Sequence, residues 1–254
     1  MIFYIFSKDR PAQLSLLLES MERFVKGEYQ IVVQYCATSA GFYSGYKKVI
    51  KQYKSKVHFH DEIDTGFEAQ LTSSLTKYSK VGGKCISFLV DDIVFLEHVN
   101  INLCVKYVGK SDIFSLRLGL TLSKSNIVNR LQPLPIDLKI CDDNSTFTWD
   151  WVSNSMDWGY PSSLDGNIFL FESFLLMIDS LQFHSPNTLE NSIVKYFKNT
   201  KKLKGYCFKT SKLVNLPFNR VQNDVANFSF NISPVEINKK FLSGISIDID
   251  AYVG

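Results

Sequence analysis

The sequence lacks the features that mark several large classes of protein. Its longest apolar stretch, Ile168–Ile178, is interrupted by Glu172 and is too short to cross a bilayer, which takes about 20 residues. The five cysteines form no CxxC pair, which favours free thiols in a reducing compartment over a disulfide scaffold. The formal net charge is only +3, whereas a dedicated nucleic-acid binder is usually more basic. We therefore predict a cytoplasmic protein with no transmembrane segment and no nucleic-acid partner.

Several glycine-containing motifs and a metal-binding spacing are also missing. No GxSxG, Walker A or GxGxxG motif is present, which argues against the corresponding hydrolases, P-loop enzymes and dinucleotide dehydrogenases. His58 and His60 alternate on one strand but have no partner at a recognised zinc spacing. The lysines within Lys47–Lys56 are best interpreted as the solvated face of a helix. Contact with an anionic membrane surface or a phosphate-bearing acceptor is the alternative for them.

The first half of the chain alternates strand-like and helix-like segments. Apolar, β-branched runs predict strands at Ile2–Ser7, Gln30–Cys36, Val57–His60 and Cys85–Val90. Apolar residues at a 3–4 spacing predict helices beginning at Pro11 and covering Gly41–Tyr53 and Thr65–Lys80. This alternation is typical of βαβ units with a parallel sheet that is covered on both faces.

The second half is less regular. We predict strands at Ile113–Leu122 and Thr146–Val152, helices at Phe169–Leu181 and Leu189–Phe197, and an extended or irregular C-terminal region. No repeat, low-complexity tract or convincing linker interrupts the chain. We therefore expect one domain over residues 1–254.

Charged residues follow two of the predicted strands directly. Asp91 and Asp92 end the apolar run Cys85–Val90, and Lys8-Asp9-Arg10 follows the first strand. In open α/β sheets, ligands bind beyond the carboxyl ends of the strands. Two adjacent carboxylates suit Mg²⁺ or Mn²⁺, and Arg10 suits a phosphate. The alternatives are a strand-end pair that caps backbone amides or faces solvent, and an ordinary helix start capped by Asp9.

Three later groups are further candidates. Asp165-Gly166 follows an aromatic loop and suits sugar hydroxyls, although a plain turn is an equal alternative. Glu190 stands three residues after Asn187, which fits a capping box or a general base at a helix start. Asn219 and Arg220 lie in a polar, proline-containing segment and could close over a pyrophosphate, or form a structured loop.

Taken in order, these segments resemble the GT-A glycosyltransferases, especially small bacterial or viral enzymes related to family 2. The resemblance is carried by 5–11 (IFSKDRP), 88–95 (FLVDDIVF), 160–166 (YPSSLDG), 186–190 (PNTLE) and 219–222 (NRVQ). It spans most of the chain through the order and spacing of motifs that are individually unspecific. It implies a Rossmann-like, three-layer α/β/α fold with a mostly parallel central sheet.

The resemblance also implies roles for individual residues. Residues 1–95 would form the nucleotide-binding half, and residues 96–254 the half that binds donor sugar and acceptor. Asp92 would bind Mn²⁺ or Mg²⁺ with help from Asp91, although Val90 stands where a strict DxD motif has its first Asp. Glu190 would be the catalytic base, with Asp165 as the second catalytic candidate and Asp157 as a further alternative for taking the acceptor proton. The donor-binding set would be Ser7, Asp9, Arg10, Asp91, Asp165, Gly166 and Arg220.

The expected reaction is therefore a metal-dependent, inverting transfer of sugar from a nucleotide-sugar, UDP-linked by resemblance, to a glycan, lipid-linked glycan or other hydroxyl acceptor. Such a reaction belongs to surface polysaccharide or glycoconjugate synthesis. A sugar-phosphate nucleotidylyltransferase uses a similar sheet but normally carries a glycine-rich loop where this chain has 7–11 (SKDRP). A non-catalytic carbohydrate-binding protein on the same fold is the other alternative.

Overall fold

The computed structural model describes residues 1–125, 130–219, 221 and 229–252. Its strands are β1 (Ile2–Lys8), β2 (Val25–Lys26), β3 (Gln30–Cys36), β4 (Val57–Asp61), β5 (Cys85–Val90), β6 (Ile93–Phe95), β7 (Val99–Asn100), β8 (Asp112–Ser115), β9 (Lys124–Ser125), β10 (Arg130–Leu131), β11 (Lys139–Ile140), β12 (Thr146–Asp150), β13 (Asn167–Leu170), β14 (Lys204–Phe208) and β15 (Leu213–Asn215). Its helices are α1 (Pro11–Phe24), α2 (Ala40–Tyr53), α3 (Phe67–Ser79), α4 (Ile101–Tyr107), α5 (Phe171–Ile178), α6 (Pro186–Phe197) and α7 (Pro234–Leu242), with short 3₁₀ turns at Met156–Gly159 and Ile249–Ala251.

Nine of these strands form one sheet in the order β11-β12-β14-β8-β13-β5-β1-β3-β4. Strands β5, β1, β3 and β4 pair in parallel, as do β14 and β8. Only β13 and β12 run against the others, since β13 is antiparallel to both its neighbours and β12 to both of its own. The prediction of a mostly parallel α/β sheet is confirmed.

The two faces of the sheet are covered by different helices. Alternate residues of a strand point to opposite faces. Phe3 and Ile5 of β1 accordingly lie in a core with apolar residues of α1, α2, α4 and α7. Tyr4 and Phe6 lie in the opposite core with α3, α5 and α6. The chain is a three-layer α/β/α structure, as predicted.

Several segments differ from the sequence prediction; the strand predicted over Ile113–Leu122, for example, ends at Ser115. The apolar run expected to be one helix over Phe169–Leu181 is divided into β13 and α5. Its first part lies between β5 and β8 and is hydrogen-bonded on both sides, so pairing within the sheet outweighs the local helical pattern. Helix α7, in the region expected to be irregular, packs against α2 and buries Asn238 and Phe241.

Candidate active site

A buried guanidinium connects the two acidic residues at the end of β5. Arg10 Nη1 donates to Asp91 Oδ1 at 2.9 Å and to Asp92 Oδ2 at 3.3 Å. The backbone amide of Lys8 donates to the other Asp91 oxygen at 3.2 Å. Phe6 pairs with Val90 in the sheet, so the parallel strands β1 and β5 bring both segments to one edge. The structure thus brings Arg10 and the acidic pair together, as expected from their places in the chain.

The same guanidinium also holds a segment near the C-terminus. Arg10 Nε donates to Asn219 Oδ1 at 2.8 Å, and Nη2 donates to the Asn219 carbonyl. Asn215 Nδ2 donates to Asp92 Oδ1 at 3.4 Å, and the Leu216 amide donates to the Asp92 carbonyl at 2.7 Å. β15 pairs with β6 just beyond the acidic pair, which brings this segment over the site.

The two carboxylates differ in how well they are neutralised. Burial raises the pKa of Asp91, and the charge and hydrogen bond of Arg10 oppose that shift. Burial also raises the pKa of Asp92 to about 7, with Arg10 opposing the shift and the charges of Asp91 and Asp165 adding to it. The Asp92 side chain is 19% exposed, against 4% for Asp91. Asp92 is therefore the carboxylate that a further cation or donor would stabilise most.

Ser7 and Asp9 form the turn that carries Arg10. Asp9 has a φ of +54°, a left-handed conformation that is uncommon for a residue with a side chain. Its carboxylate accepts from the Thr38 amide at 2.8 Å and the Thr38 hydroxyl at 2.7 Å. Ser7 Oγ lies 2.7 Å from the hydroxyl of Tyr46, which also accepts from the Arg10 amide. Asp9 thus connects β1 to the segment after β3, and it does not cap α1, whose N-cap is Arg10.

Asp165 lies at the same edge because Gly166 joins two strands. The Gly166 amide donates to the Phe88 carbonyl at 2.9 Å, and its carbonyl accepts from Leu116 at 3.1 Å. Gly166 has a φ of +86°, and an added Cβ would lie 2.6 Å from Leu213. Glycine is therefore required there on two counts. Gly166 thus allows the protein's own strands to pack closely, and its contact with a donor sugar stays a prediction.

Glu190 is the fifth residue of α6, just after its first turn, and is half-buried. Its Oε1 accepts from the Leu164 amide at 2.9 Å. Burial and the charge of Asp165 raise the pKa of Glu190 to about 7, and the Leu164 amide, Arg117 and the Tyr160 hydroxyl act in the opposite direction. A carboxyl group with a pKa near neutral pH is suited to proton transfer.

The alternative role considered for Glu190, closing a capping box with Asn187, is wrong. Ser185 is the N-cap of α6, and the box is completed by Thr188: the Thr188 amide donates to Ser185 Oγ, and Thr188 Oγ1 accepts from the Ser185 amide. Pro186 is the first residue of α6, so the helix begins two residues before the start that Asn187 as N-cap would give. Glu190 is consequently not used to cap its own helix.

Sequence reasoning missed other groups at this edge. Tyr46 was assigned to a helix without a role, and the contact of Asn215 with Asp92 spans 123 residues, so no local pattern indicates it. Arg117 forms a buried ion pair with Asp157 at 3.0 Å beside Glu190 and Asp165. The predicted donor-binding residue Arg220 lies outside the described residues.

The residues present fit a cation that the protein shares with a substrate. No group of three or more histidine, cysteine, aspartate or glutamate side chains in the described ranges could hold a metal ion. Both carboxylates accept hydrogen bonds, but those of Asp92 are longer, at 3.3 and 3.4 Å against 2.9 and 3.2 Å for Asp91. Asp92 is also the more exposed of the two, so it is the better ligand. Mg²⁺ is often held by one or two carboxylates together with substrate phosphates. This donor set suits such a shared ion better than a closed protein site.

Known proteins are similar to this chain in structure and not in sequence. No protein-family model matches the sequence, and no curated protein matches it. The structure is similar to that of S. aureus TarS 1-349 in complex with UDP, with a TM-score of 0.49 and 12% identity over 99% of this chain and 68% of that one. It is also similar to galactosyltransferase LgtC in complex with donor and acceptor sugar analogs, with a TM-score of 0.40 and 12% identity over 80% of this chain and 67% of that one.

A third similar structure is the mannosyltransferase PcManGT from Pyrobaculum calidifontis in complex with GDP-Man and Mn²⁺, with a TM-score of 0.35 and 14% identity over 45% of this chain and 34% of that one. In another TarS 1-349 structure, the match covers 60% of that chain. With TM-scores below 0.5 and identities of 12–14%, these likenesses carry no argument about function. The function proposed below therefore depends on the site. Within the described ranges, no helix is long and apolar enough to cross a membrane.

Proposed function

We propose that this chain is a glycosyltransferase that moves a sugar from a nucleotide-sugar to a hydroxyl acceptor with inversion at the anomeric carbon. One observation carries the proposal: Asp91, Asp92, Asp165 and Glu190 meet at the carboxyl edge of an α/β sheet, with the pKa of Glu190 at about 7. Burying charged carboxylates is unfavourable unless a cation or hydrogen bonds offset the cost, so an ordinary strand end that faces solvent would not gather this many of them.

Asp92 is the residue proposed to hold Mn²⁺ or Mg²⁺, with Asp91 fixed beside it by Arg10. The metal, when bound, neutralises the charge that develops on the leaving diphosphate. Ser7, Asp9 and Arg10 shape the turn at the end of β1 against which we place the nucleotide, and Arg220 remains a proposed donor contact. UDP is the nucleotide we propose, from the resemblance of the sequence motifs.

Asp165 and Gly166 are proposed to contact the donor sugar, and Glu190 to act as the base. In the transfer step the acceptor oxygen forms a bond to the anomeric carbon while the bond from that carbon to the diphosphate oxygen breaks. The acceptor proton passes to the Glu190 carboxylate. Attack from the side opposite the leaving group inverts the configuration. Asp165 is the second candidate for the base, because its charge acts directly on Glu190.

The acceptor class we propose is a glycan or a lipid-linked glycan, in surface polysaccharide or glycoconjugate synthesis in the cytoplasm, with contact to a membrane surface through exposed lysines. Lys47 and Lys51 of α2 are exposed, and Lys47 lies over the ring of Tyr43 at 4.6 Å. Lys48, by contrast, is already used: it lies over the Phe241 ring at 4.3 Å and donates to its carbonyl.

A thermal-shift screen of nucleotide-sugars with and without Mn²⁺ tests the proposal. We expect one class of donor to raise the melting temperature in the presence of Mn²⁺, and Asp92→Asn to abolish the metal-dependent part of that shift. Asp143→Asn, in a turn away from the site, is the matched control. If the unmodified chain and Asp143→Asn bind the donor equally well with and without Mn²⁺, the proposed role of Asp92 in metal binding is contradicted. No shift with any nucleotide-sugar would favour a non-catalytic carbohydrate-binding protein.

A further inference from the structure

Large apolar side chains are exposed along the segment that leads into β11, at one edge of the nine-stranded sheet. Ile136 is 95% exposed and Leu131 81%, the two highest values for a large apolar side chain in the described ranges. Leu134 and Ile140 are 47% and 55% exposed, and we call these four residues the apolar rim. Exposed apolar residues are ordinary when they are scattered singly, but four within ten residues are a concentration typical of binding surfaces.

The most exposed residue of the apolar rim stands in a turn. The Leu138 amide donates to the Pro135 carbonyl at 3.3 Å, which places Ile136 and Asp137 at the centre of that turn. Aspartate is common in turns, whereas a β-branched apolar residue is not. Ile136 belongs to neither core of the protein, so the folding of the chain does not account for its apolar side chain.

The apolar rim is held in place by polar contacts on both sides of the turn. Asp137 accepts from the Asp150 amide and from Asn154 Nδ2, both at 2.8 Å. Gln132 is buried, and its Oε1 accepts from the Asp157 amide at 3.2 Å. Beyond the turn, β11 pairs with β12. The exposure of the rim is therefore a fixed feature of the fold.

The Gln132 contact also connects the apolar rim to the candidate active site. Asp157 lies in a 3₁₀ turn, and the loop that follows this turn carries Leu164. The Leu164 amide donates to Glu190. A surface that covers the rim would therefore lie beside the loop that holds the proposed base.

The charges around the apolar rim are mostly positive. Lys124, Arg130 and Lys139 are exposed, and Asp137 is the one acidic residue in the sequence from 124 to 140. Both oxygens of Asp137 are used in the anchoring contacts. Lys124 stands opposite Leu131 in the β9–β10 pair, so cations and apolar side chains alternate across this surface.

This combination fits an anionic lipid bilayer better than a second copy of the chain. At a bilayer surface, apolar side chains enter the boundary between headgroups and acyl chains, while lysine and arginine attract anionic headgroups. A symmetric contact between two copies would bring the positive charges of the two rims together. The next exposed acid along the chain, Asp142, lies beyond the rim.

We propose that the apolar rim is a membrane-docking surface, which enters the headgroup region of an anionic bilayer while the three cations face its phosphates. Docking there holds the proposed base next to the membrane, where a lipid-linked acceptor presents its sugar. The rim is a surface separate from the lysines of α2, and it binds chiefly through apolar contact. The inference rests on the proposed function only for the use of such an acceptor, because bilayer binding needs no nucleotide-sugar.

Co-sedimentation of the full chain with vesicles tests the inference, using phosphatidylcholine alone or mixed with phosphatidylglycerol. Leu131→Ser, Ile136→Ser should weaken binding to the mixed vesicles by about tenfold or more, because it removes apolar area that the bilayer buries. Ile63→Ser, Leu176→Ser removes exposed apolar side chains elsewhere and should bind like the unmodified chain. All four positions are exposed, so both double variants should keep the melting temperature. Unchanged binding in the rim variant, or equal losses in both variants, would overturn the inference.

A fluorescent probe shows whether the apolar rim enters the bilayer. The three tryptophans of the chain, Trp149, Trp151 and Trp158, are buried, so Ile136→Trp supplies an exposed one. On addition of mixed vesicles we expect its emission to move to shorter wavelength and brominated lipid to quench it. Leu176→Trp should show neither change. Equal quenching of the two probes would overturn the placement of the rim in the bilayer.

Two further measurements test the choice of an anionic bilayer as the partner. Arg130→Gln, Lys139→Gln should remove most of the preference for mixed over pure phosphatidylcholine vesicles, as should high salt. A preference that survives both changes would overturn the part assigned to the cations. Sedimentation velocity without lipid tests self-association. A dimer that Leu131→Ser, Ile136→Ser converts to a monomer would show that the rim joins two copies, and would overturn the inference.

Activity separates this inference from the proposed function. If vesicle binding depends on the apolar rim and no nucleotide-sugar is turned over, the docking surface stands and the glycosyltransferase proposal fails. If transfer occurs, Leu131→Ser, Ile136→Ser should use a glycan acceptor in solution at the normal rate and the same glycan on a vesicle lipid more slowly. Normal rates on both acceptors would overturn the link between docking and transfer.

Discussion

The two acidic groups at the sheet edge differ in how their charge is neutralised. At the end of β5, Asp91 is locked by Arg10 and a backbone amide, and its neighbour Asp92 shares the same guanidinium. Near the start of α6, Glu190 is close to another carboxylate, Asp165, and its hydrogen-bond partners are the Leu164 amide and the Tyr160 hydroxyl. The first group is fixed in place by a hydrogen-bonded cation, whereas Glu190 has no cation hydrogen-bonded to it in the described part of the chain. This contrast is the main reason for assigning binding to one and chemistry to the other.

Removing the cation of the first group should have the largest effect. Arg10→Met leaves Asp91 buried without a partner charge and also detaches Asn219, so we expect a loss of about 3–5 kcal/mol in the free energy of unfolding. Urea denaturation monitored by tryptophan fluorescence measures it. Arg23→Met breaks an exposed ion pair and serves as the control, with an expected loss below about 1 kcal/mol. Equal losses in the two variants would show that Arg10 does not hold the site together.

Removing the proton acceptor of the second group should affect rate and leave the fold intact. Glu190→Gln preserves the shape of the side chain, so we expect transfer to fall by about 10²–10⁴-fold with nucleotide binding unchanged. Initial rates and calorimetric donor binding measure the two properties. Asn187→Ala, in the same helical turn, is the matched control. Near-normal turnover in Glu190→Gln would transfer the role of base to Asp165.

The raised pKa values in the two groups also predict how stability depends on pH. The pKa of Glu190 is raised in the folded protein from 4.5 to about 7, and that of Asp92 from 3.8 to about 7. The folded state therefore binds more protons than the unfolded state between about pH 4 and 7, so stability should fall as pH rises through this range. Denaturation midpoints at several pH values in metal-free buffer measure this dependence. The stability of Glu190→Gln should depend less on pH over this range. An unchanged pH dependence in that variant would contradict the raised pKa of Glu190.

The smallest expected effect concerns the helix start that carries Glu190. Ser185→Ala removes the N-cap of α6 and its part of the capping box, which should cost about 1 kcal/mol. Thermal unfolding detects a change of this size. Asn187→Ala should cost less, because Asn187 is not the cap. The opposite ranking would restore the capping box that the sequence suggested.

Several features of the site were predictable from the sequence because their causes are local. The apolar run before Asp91-Asp92 forms β5 over the predicted residues, Cys85–Val90, and the alternation of strands and helices implied a shared carboxyl edge for β1 and β5. Glu190 was chosen as a candidate because of its place near a predicted helix start, although the capping residue was misassigned. In each case the signal is contained within a few neighbouring residues, so it can be read without the fold.

The sequence by itself determined the alternating α/β pattern, the apolar strands and the charged residues that follow them, because periodicity and turn chemistry act over short distances. Only the tertiary structure decided which charges are paired. Arg10 is 209 residues from Asn219, and Arg117 is 40 residues from Asp157. Phe169 and Leu170, predicted as the start of a helix, belong to β13 because that strand pairs with β5 and β8. Charge pairing and pKa depend on distances and burial, and these exist only once the sheet has brought distant segments to one edge.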